Sequence, residues 1–503
     1  MKTGPVVFLS FSLIFGAAMG WAASPPAVEG QPEILAEKSF TRWPDPVVAD
    51  CGLFPSLLGK EIPFLRLYAL SGGSFHAIPF QVDEKDVDGN LVYTSGERAN
   101  AADADGRLGK GEELVFMARD SGHRARPTDF PPGIETWEEL ELKDPLTGGR
   151  GWVYLLYSES SPPARSEEDY ITYIPVHQCD EGDCNFVKTT YIEDHFYPLK
   201  PYFDSSKIEN RGLAHSYMSN SPEAGGTGVD YVDRLKVRGT IAFFFGLLKY
   251  HLTEKSVTFF ESAYKDGPVR LIRNLRIIIS LPLGIKAPGA AVDVLWYDTI
   301  VDVPMVVDIP FNPGHLYTYL ELSIGEDHAP GAVGMKVYNS NNRDGCLVDG
   351  RTEGPAETGW NTDLDQWRLM TGAQGTIMNR SFWDERYLEQ MEWSRVEYID
   401  DTGRLDPPED NPGMLGTIVQ TNRIEGVKKE RYFMYLEWYW PPAFLFSGPG
   451  QTYRSGDEKA YLDIADHPVV LRSGEHSMES HYFGRMPLYE GPGKNTDCKQ
   501  KED

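Results

Sequence analysis

Apolar and polar residues alternate with a period of two over a long series of segments: 113–117, 152–157, 171–176, 236–245, 257–263, 269–279, 292–296, 316–322 and 432–440. A period of two sends successive side chains to opposite faces of an extended strand. Clusters of Gly, Pro, Asn and Asp separate these segments, as turns require. The pattern predicts a mostly β protein in which antiparallel strands form a sandwich, one face of each sheet buried and the other meeting solvent or ligand. Only residues 384–396 (DERYLEQMEWSRV) read as a short helix.

Residues 158–168 (SESSPPARSEE) carry almost no apolar content and read as a linker. They divide the chain into a small antiparallel β-module, residues 25–165, and a large β-sandwich domain, residues 166–490. The tail 491–503 has little to bury and is expected to be disordered. Residues 1–24 have the order of an export signal: Lys2, an apolar run over 6–15, then Gly20, Ala22, Ala23 and Ser24. No cysteine occurs before Cys51, so an acylated cysteine near the cleavage zone is not available. The expected location is therefore periplasmic or extracellular, with a cleaved signal peptide. The other strongly apolar run, 275–285, is interrupted by Arg276, Pro282 and Gly284 and is too short for a membrane span.

A formal net charge of -27 over 503 residues argues against nucleic acid and anionic membrane as partners, since phosphate binding needs a basic footprint. Of the five cysteines, Cys179 and Cys184 could close a short disulfide loop, and Cys51 could pair with Cys346 at long range. His177 leaves a Cys/His metal site as the alternative for the first pair, although no fourth ligand is in view.

Residues 78–117 concentrate the acidic signals. IPFQVDE leads into Asp86-Val87-Asp88-Gly89, then Asp103-Ala104-Asp105-Gly106, then Glu112 and Glu113 before LVFMA. Asp103, Asp105, Gly106 and Glu112 fall at the third, fifth, sixth and twelfth positions of a calcium loop, with Ala101 in place of the first ligand. They are candidate calcium ligands; the competing reading is two Asx-type turns with solvated carboxylates.

The order P-F-Q-V-D-E, D-x-D-G, G-E-E-L-V-F, together with Gly267-Pro268-Val269-Arg270, resembles exported bacterial proteins that join a small amino-terminal β-module to a galactose-mutarotase-like supersandwich. That resemblance implies polysaccharide processing or sugar binding, with carbohydrate as the partner. Separately, alternation over 314–323 places His315, Tyr317, Tyr319 and Glu321 on one face. Aromatic planes beside a histidine and a carboxylate make a plausible sugar-cleft wall, with His315 and Glu321 as candidate catalytic groups and Tyr317 and Tyr319 as substrate contacts. A solvent face with hydroxyls bonded to neighbours is the plainer alternative. Arg270 and Arg276 share a strand face with Asn274 and could hold an acidic sugar, or pair with some of the 75 Asp and Glu residues. The expected function is an exported carbohydrate-active protein, either a polysaccharide lyase or glycoside hydrolase-like enzyme or, alternatively, a non-catalytic envelope or extracellular binding protein or scaffold.

Overall fold

The computed structural model describes residues 34–179, 182–196, 215–253, 256–279, 290–351, 360–392, 394–405, 413–441 and 457–480. Residues 1–24, read as an export signal, and the tail 491–503 lie outside the described residues. The molecule is mostly β, and every strand pairing within its sheets is antiparallel, as the alternation predicts.

In the small module a three-stranded sheet (Pro46–Asp50, Glu113–Met117, Gln81–Asp83) packs on a six-stranded sheet. Val47, Ala49, Leu114 and Phe116 share a core with Leu65, Leu67, Leu140, Val153 and Leu155 from the larger sheet. The alternate residues Val48, Val115 and Met117 point the other way and are also buried. They join Tyr297, Ile300, Met378 and Tyr439 of the large body. Burial on both faces explains why VVA and LVFM are continuous apolar runs.

The six-stranded sheet ends on Val470–Ser473 and His476–Glu479, with Val470–Ser473 pairing Thr136–Lys143. Residues assigned from sequence to a large domain reaching 490 therefore complete the small module, and a single cut near residue 165 does not divide the two bodies. Sequence spacing could not reveal this pairing, because its partners are more than 300 residues apart. The linker segment is extended and tied down: Arg66 donates to the Pro163 carbonyl at 2.7 Å and Tyr68 to that of Ala164 at 2.9 Å.

The large body contains a nine-stranded sheet with Arg431–Tyr439 at its centre, between Ile300–Asp308 and Gly375–Trp383. On one face of that central strand, Tyr432 and Met434 pack with Leu320 and Leu322 of a five-stranded sheet, and Trp440 packs with Tyr398. On the opposite face Tyr439 meets the small module and stacks on Tyr461 of the helix Asp457–Asp466 at 4.0 Å. A four-stranded sheet, Ile171–Cys179 to His215–Asn220, contributes Ile171, Val187 and Ile192 to the main core.

Two local expectations are corrected. The helix expected over 384–396 is a single turn, Glu385–Leu388, capped by Asp384, which accepts from the Arg386 amide at 3.0 Å. The rest, Ser394–Asp401, is a strand paired to Met414–Thr421, because the alternation of Val396, Tyr398 and the residues between them serves a sheet face. The long-range bridge from Cys51 to Cys346 does not form: both remain thiols, and Cys51 is sealed in the small-module core. His177 pairs opposite Cys184 in a hairpin; the Cys179 side chain lies outside the described residues.

Candidate functional site

The sequence motif QVD and the segment GPVR meet at the junction of the two bodies. Gln81 Oε1 accepts from the Arg270 amide at 2.8 Å and the Val269 amide at 3.2 Å, while its Nε2 donates to the Arg270 carbonyl at 3.1 Å. The Arg270 side chain donates to Asp83 at 2.5 Å through Nη2 and 3.0 Å through Nε, to Glu113 at 2.6 Å and to the Tyr297 hydroxyl at 3.0 Å. Lys265 and Lys85 complete the array, at 2.8 Å from Asp83 and Glu113 respectively. Burial pushes both carboxyl pKa values up, but Arg270 with Lys265, or Arg270 with Lys85, outweighs it and holds both below the ordinary range. Arg270 is thus a structural latch, 2% exposed, which corrects its assignment as a substrate contact. Asn274, on the same face, donates to Asp293 at 2.8 Å and to Tyr93 of the small module at 3.3 Å. Arg276 is the next residue along that face and is half-buried, opposite Phe260 and Ala291.

The loop that carries Tyr93 is clamped to the edge strand Val257–Lys265 through the Ser95–Tyr264 bridge. Gly96 permits this approach: it has φ +101°, and a Cβ there would sit 2.6 Å from the Ala263 Cα. Beyond it, Glu84, Asp105 and Glu112 converge, with one ligand atom from each lying within 4.8 Å of the others. Asp103 is not among them. Residues 101–103 form a 3-10 turn that takes Asp103 out of calcium-loop register, and Glu84 supplies the third carboxylate, held by the Gly106 amide at 2.8 Å. Glu112 accepts from the Gly109 amide at 2.7 Å. Its pKa is pushed up to about 7 by burial, against the pull of that amide, with the Glu84 and Asp105 charges adding to the rise. An all-oxygen set with mutual repulsion suits a hard cation such as calcium. The first acidic turn is a closed Asx turn, in which Asp86 accepts from the Asp88 and Asn90 amides at 2.9 and 2.8 Å.

The expected sugar-cleft wall is not one strand face. Pro313–His315 is a 3-10 turn and the strand begins only at Tyr319, because Pro313 and Gly314 favour a turn. His315 is exposed, and among the described residues no hydrogen bond joins it to Glu321. Tyr317 packs edge-on against Phe243 at 5.3 Å. Tyr319 and Glu321 do share a face, and the Tyr319 hydroxyl is bonded to the Glu321 carboxylate. His315 therefore lies off the strand face that carries Tyr319 and Glu321.

The geometry with more chemistry lies further along the same strand, Tyr319–Asp327, between the sheets. Leu322 and Val237, the cross-strand partner of Ile324, pack toward the nine-stranded sheet, yet Ile324 itself is 43% exposed. Opposite, Met305, Leu436 and Trp438 are half-buried at the edge of the main core. Trp438 Nε1 donates to Glu326 at 2.9 Å, joining the two sheets. His328, two residues on and buried, donates to the Tyr231 carbonyl. Burial lowers its pKa while the Glu326 charge and that carbonyl pull it up, and the ring stays neutral at pH 7. Among the described residues His328 Nδ1 is buried and has no hydrogen-bond partner. Sequence reading stopped at Ser323 and missed this group; the tripeptide Glu326-Asp327-His328 at a strand end was the available signal.

A second acid pair is closed to solvent. The Tyr435 hydroxyl lies 2.6 Å from Asp302 and 2.8 Å from Glu437. A phenol has one proton to donate, so the second carboxyl must bring its own. Burial raises both acids, Glu437 to about 7 despite the opposing charge of Arg380, and Asp302 well above its ordinary value with Glu437 adding to the rise. On the outer face of the six-stranded sheet a groove of about 510 Å³ is lined by Arg124, Glu139, Glu141, Arg150 and Arg472. Two of its arginines are paired, Arg124 with Glu139 at 2.9 Å and Arg150 with Glu141 at 3.2 Å.

No family model and no curated protein matches this sequence. Among solved structures, an alpha-mannosidase from Enterococcus faecalis V583 is similar with a TM-score of 0.41 and 9% identity, over 87% of this chain and 45% of that one. The chain spans less than half the length of that protein.

Proposed function

We propose that this is an exported carbohydrate-active protein that binds or processes a polysaccharide where its five- and nine-stranded sheets meet. The observation that supports the reading best is the contact between Trp438 and Glu326. An indole offers a flat apolar surface to a sugar ring, and the adjacent carboxylate can bind its hydroxyls. In the catalytic version Glu326 exchanges a proton with substrate. Calcium, held by Glu84, Asp105 and Glu112, braces the loop that the small module lays on the sheet edge. A glycan array combined with product analysis tests the reading on wild type, Trp438→Ala and Glu326→Gln. Saccharide binding should weaken in Trp438→Ala, and product formation should be lost in Glu326→Gln with binding largely retained. Binding without product from any glycan would leave a non-catalytic binding protein; no binding to any saccharide, or binding indifferent to Trp438, would overturn the proposal.

A further inference from the structure

The hairpin joining Arg234–Phe243 to Leu248–Leu252 ends in Phe244-Phe245-Gly246-Leu247. Phe244 is 70% exposed, Phe245 97% and Leu247 88%. Leu248 and, from the adjoining turn, Leu316 are exposed beside them. Phe243 packs on Tyr317, which joins the two segments into one apolar knob. Its backbone is as unusual as its exposure. Phe244, Phe245 and Gly246 have φ of 48°, 58° and 84°, a left-handed run in which only the glycine escapes steric cost. Hairpin turns of this kind favour Asn and Gly, so neither turn chemistry nor core packing accounts for two phenylalanines.

The charge pattern around the knob identifies its occupant. Residues 234–253 and 309–320 contain no Asp or Glu in a chain that has 75. The exposed ionisable side chains beside the tip are Lys249, His251 and His315, and Tyr250 and Tyr317 stand half-buried around it. An apolar tip whose own two segments carry no acid, with two tyrosines and a lysine beside it, matches the order of groups met on entering a bilayer, with aromatic rings at the headgroup level. The knob is also convex. A second copy would present another convex tip, whereas fluid acyl chains close around any such shape.

We propose that this hairpin tip seats in the interfacial layer of a phospholipid bilayer, anchoring the molecule reversibly without a membrane span. Among the described residues no helix is long and apolar enough to cross a membrane. Because the whole chain carries -27, insertion is driven by apolar contact rather than attraction to anionic lipid.

The test is cosedimentation of the mature full-length protein with phosphatidylcholine vesicles, with and without phosphatidylglycerol. Wild type should pellet with pure phosphatidylcholine, at least as well as with the anionic mixture, and should do so unchanged at high salt. The double variant F245S/L247S should bind at least about tenfold more weakly, since two apolar side chains no longer enter the lipid. Its melting temperature should not fall, because neither side chain packs in a core. Phe245→Asn, a residue that tolerates the left-handed conformation, should weaken binding while raising the melting temperature. Absence of wild-type binding, equal binding by the double variant, or binding seen only with anionic lipid at low salt would overturn the proposal. So would a lipid-free dimer that the double variant abolishes, which would assign the knob to contact between copies.

Discussion

Replacing Arg270 by Met removes the cation at the centre of the junction while keeping a side chain of similar length. Three acceptors lose one of their partners: Asp83, which is fully buried, Glu113 and the Tyr297 hydroxyl. Asp83 retains Lys265 and Glu113 retains Lys85, so each acid is left half compensated. Breaking a buried pair on one side costs about 3–5 kcal/mol, against about 0–1 for an exposed pair. The assay is urea unfolding of the mature protein followed by fluorescence and circular dichroism, whose coincidence checks that one transition is being measured. A loss of about 3 kcal/mol or more is expected at pH 7.5. Glu113→Gln in the Arg270→Met background should restore about 1 kcal/mol or more, because it neutralises one stranded charge. pH supplies a sign test. In the wild type Asp83 and Glu113 titrate below their ordinary range, so their stabilisation is complete above the unfolded carboxyl pKa and is lost as pH falls through the folded values. Without Arg270 burial dominates and the pKa values rise, so the deficit of the variant should shrink between pH 7.5 and pH 5. A cost under about 1 kcal/mol, no rescue by Glu113→Gln, or a deficit independent of pH would refute the latch.

The acid pair beneath the nine-stranded sheet should act with the opposite sign. Glu437, raised to about 7, contributes stability that is whole below the unfolded carboxyl pKa and is lost as pH rises through about 7. Glu437→Gln should therefore flatten the fall in stability between pH 5 and 8 by roughly 3 kcal/mol, and parallel wild-type and variant profiles would remove the pair from the account. Calcium should raise the melting temperature of wild type and of Asp103→Asn by mass action and leave that of Glu84→Gln unmoved. Wild-type melting curves identical with calcium and with a chelator would make the acidic loop a purely backbone structure.

The strand positions were legible because a half-buried sheet imposes its period directly on the residues. The two-sided burial of LVFM was missed: 113–117 was read as alternating, although Leu114 to Met117 are apolar without a break. The approach to Tyr319 was misread because His315 and Tyr317 continue the parity of the strand by chance, while Pro313 and Gly314 decide the backbone. Glu84 could not be found from spacing: it lies 21 residues before Asp105, and only the folding back of the loop brings them together. The role of Arg270 was available only as one of two alternatives, because a guanidinium fork fits a buried carboxylate and a bound one equally well. Glu326 and His328 lie past the point where the aromatic signal ends, and their significance depends on two sheets meeting, which no single strand records.

The return of Val470–Ser473 to the first-made sheet gives the polypeptide the topology of an insertion, with the large body spliced into a module that both ends of the chain must build. A ribosome or a translocation channel delivers the amino-terminal half first, and Thr136–Lys143 then waits as an open edge until more than 300 further residues have emerged. Completion of that sheet must await the synthesis of residues 470–479. A truncated chain would keep the exposed edge, and quality-control machinery that recognises unpaired strands would have a direct means of telling the finished protein from its fragments.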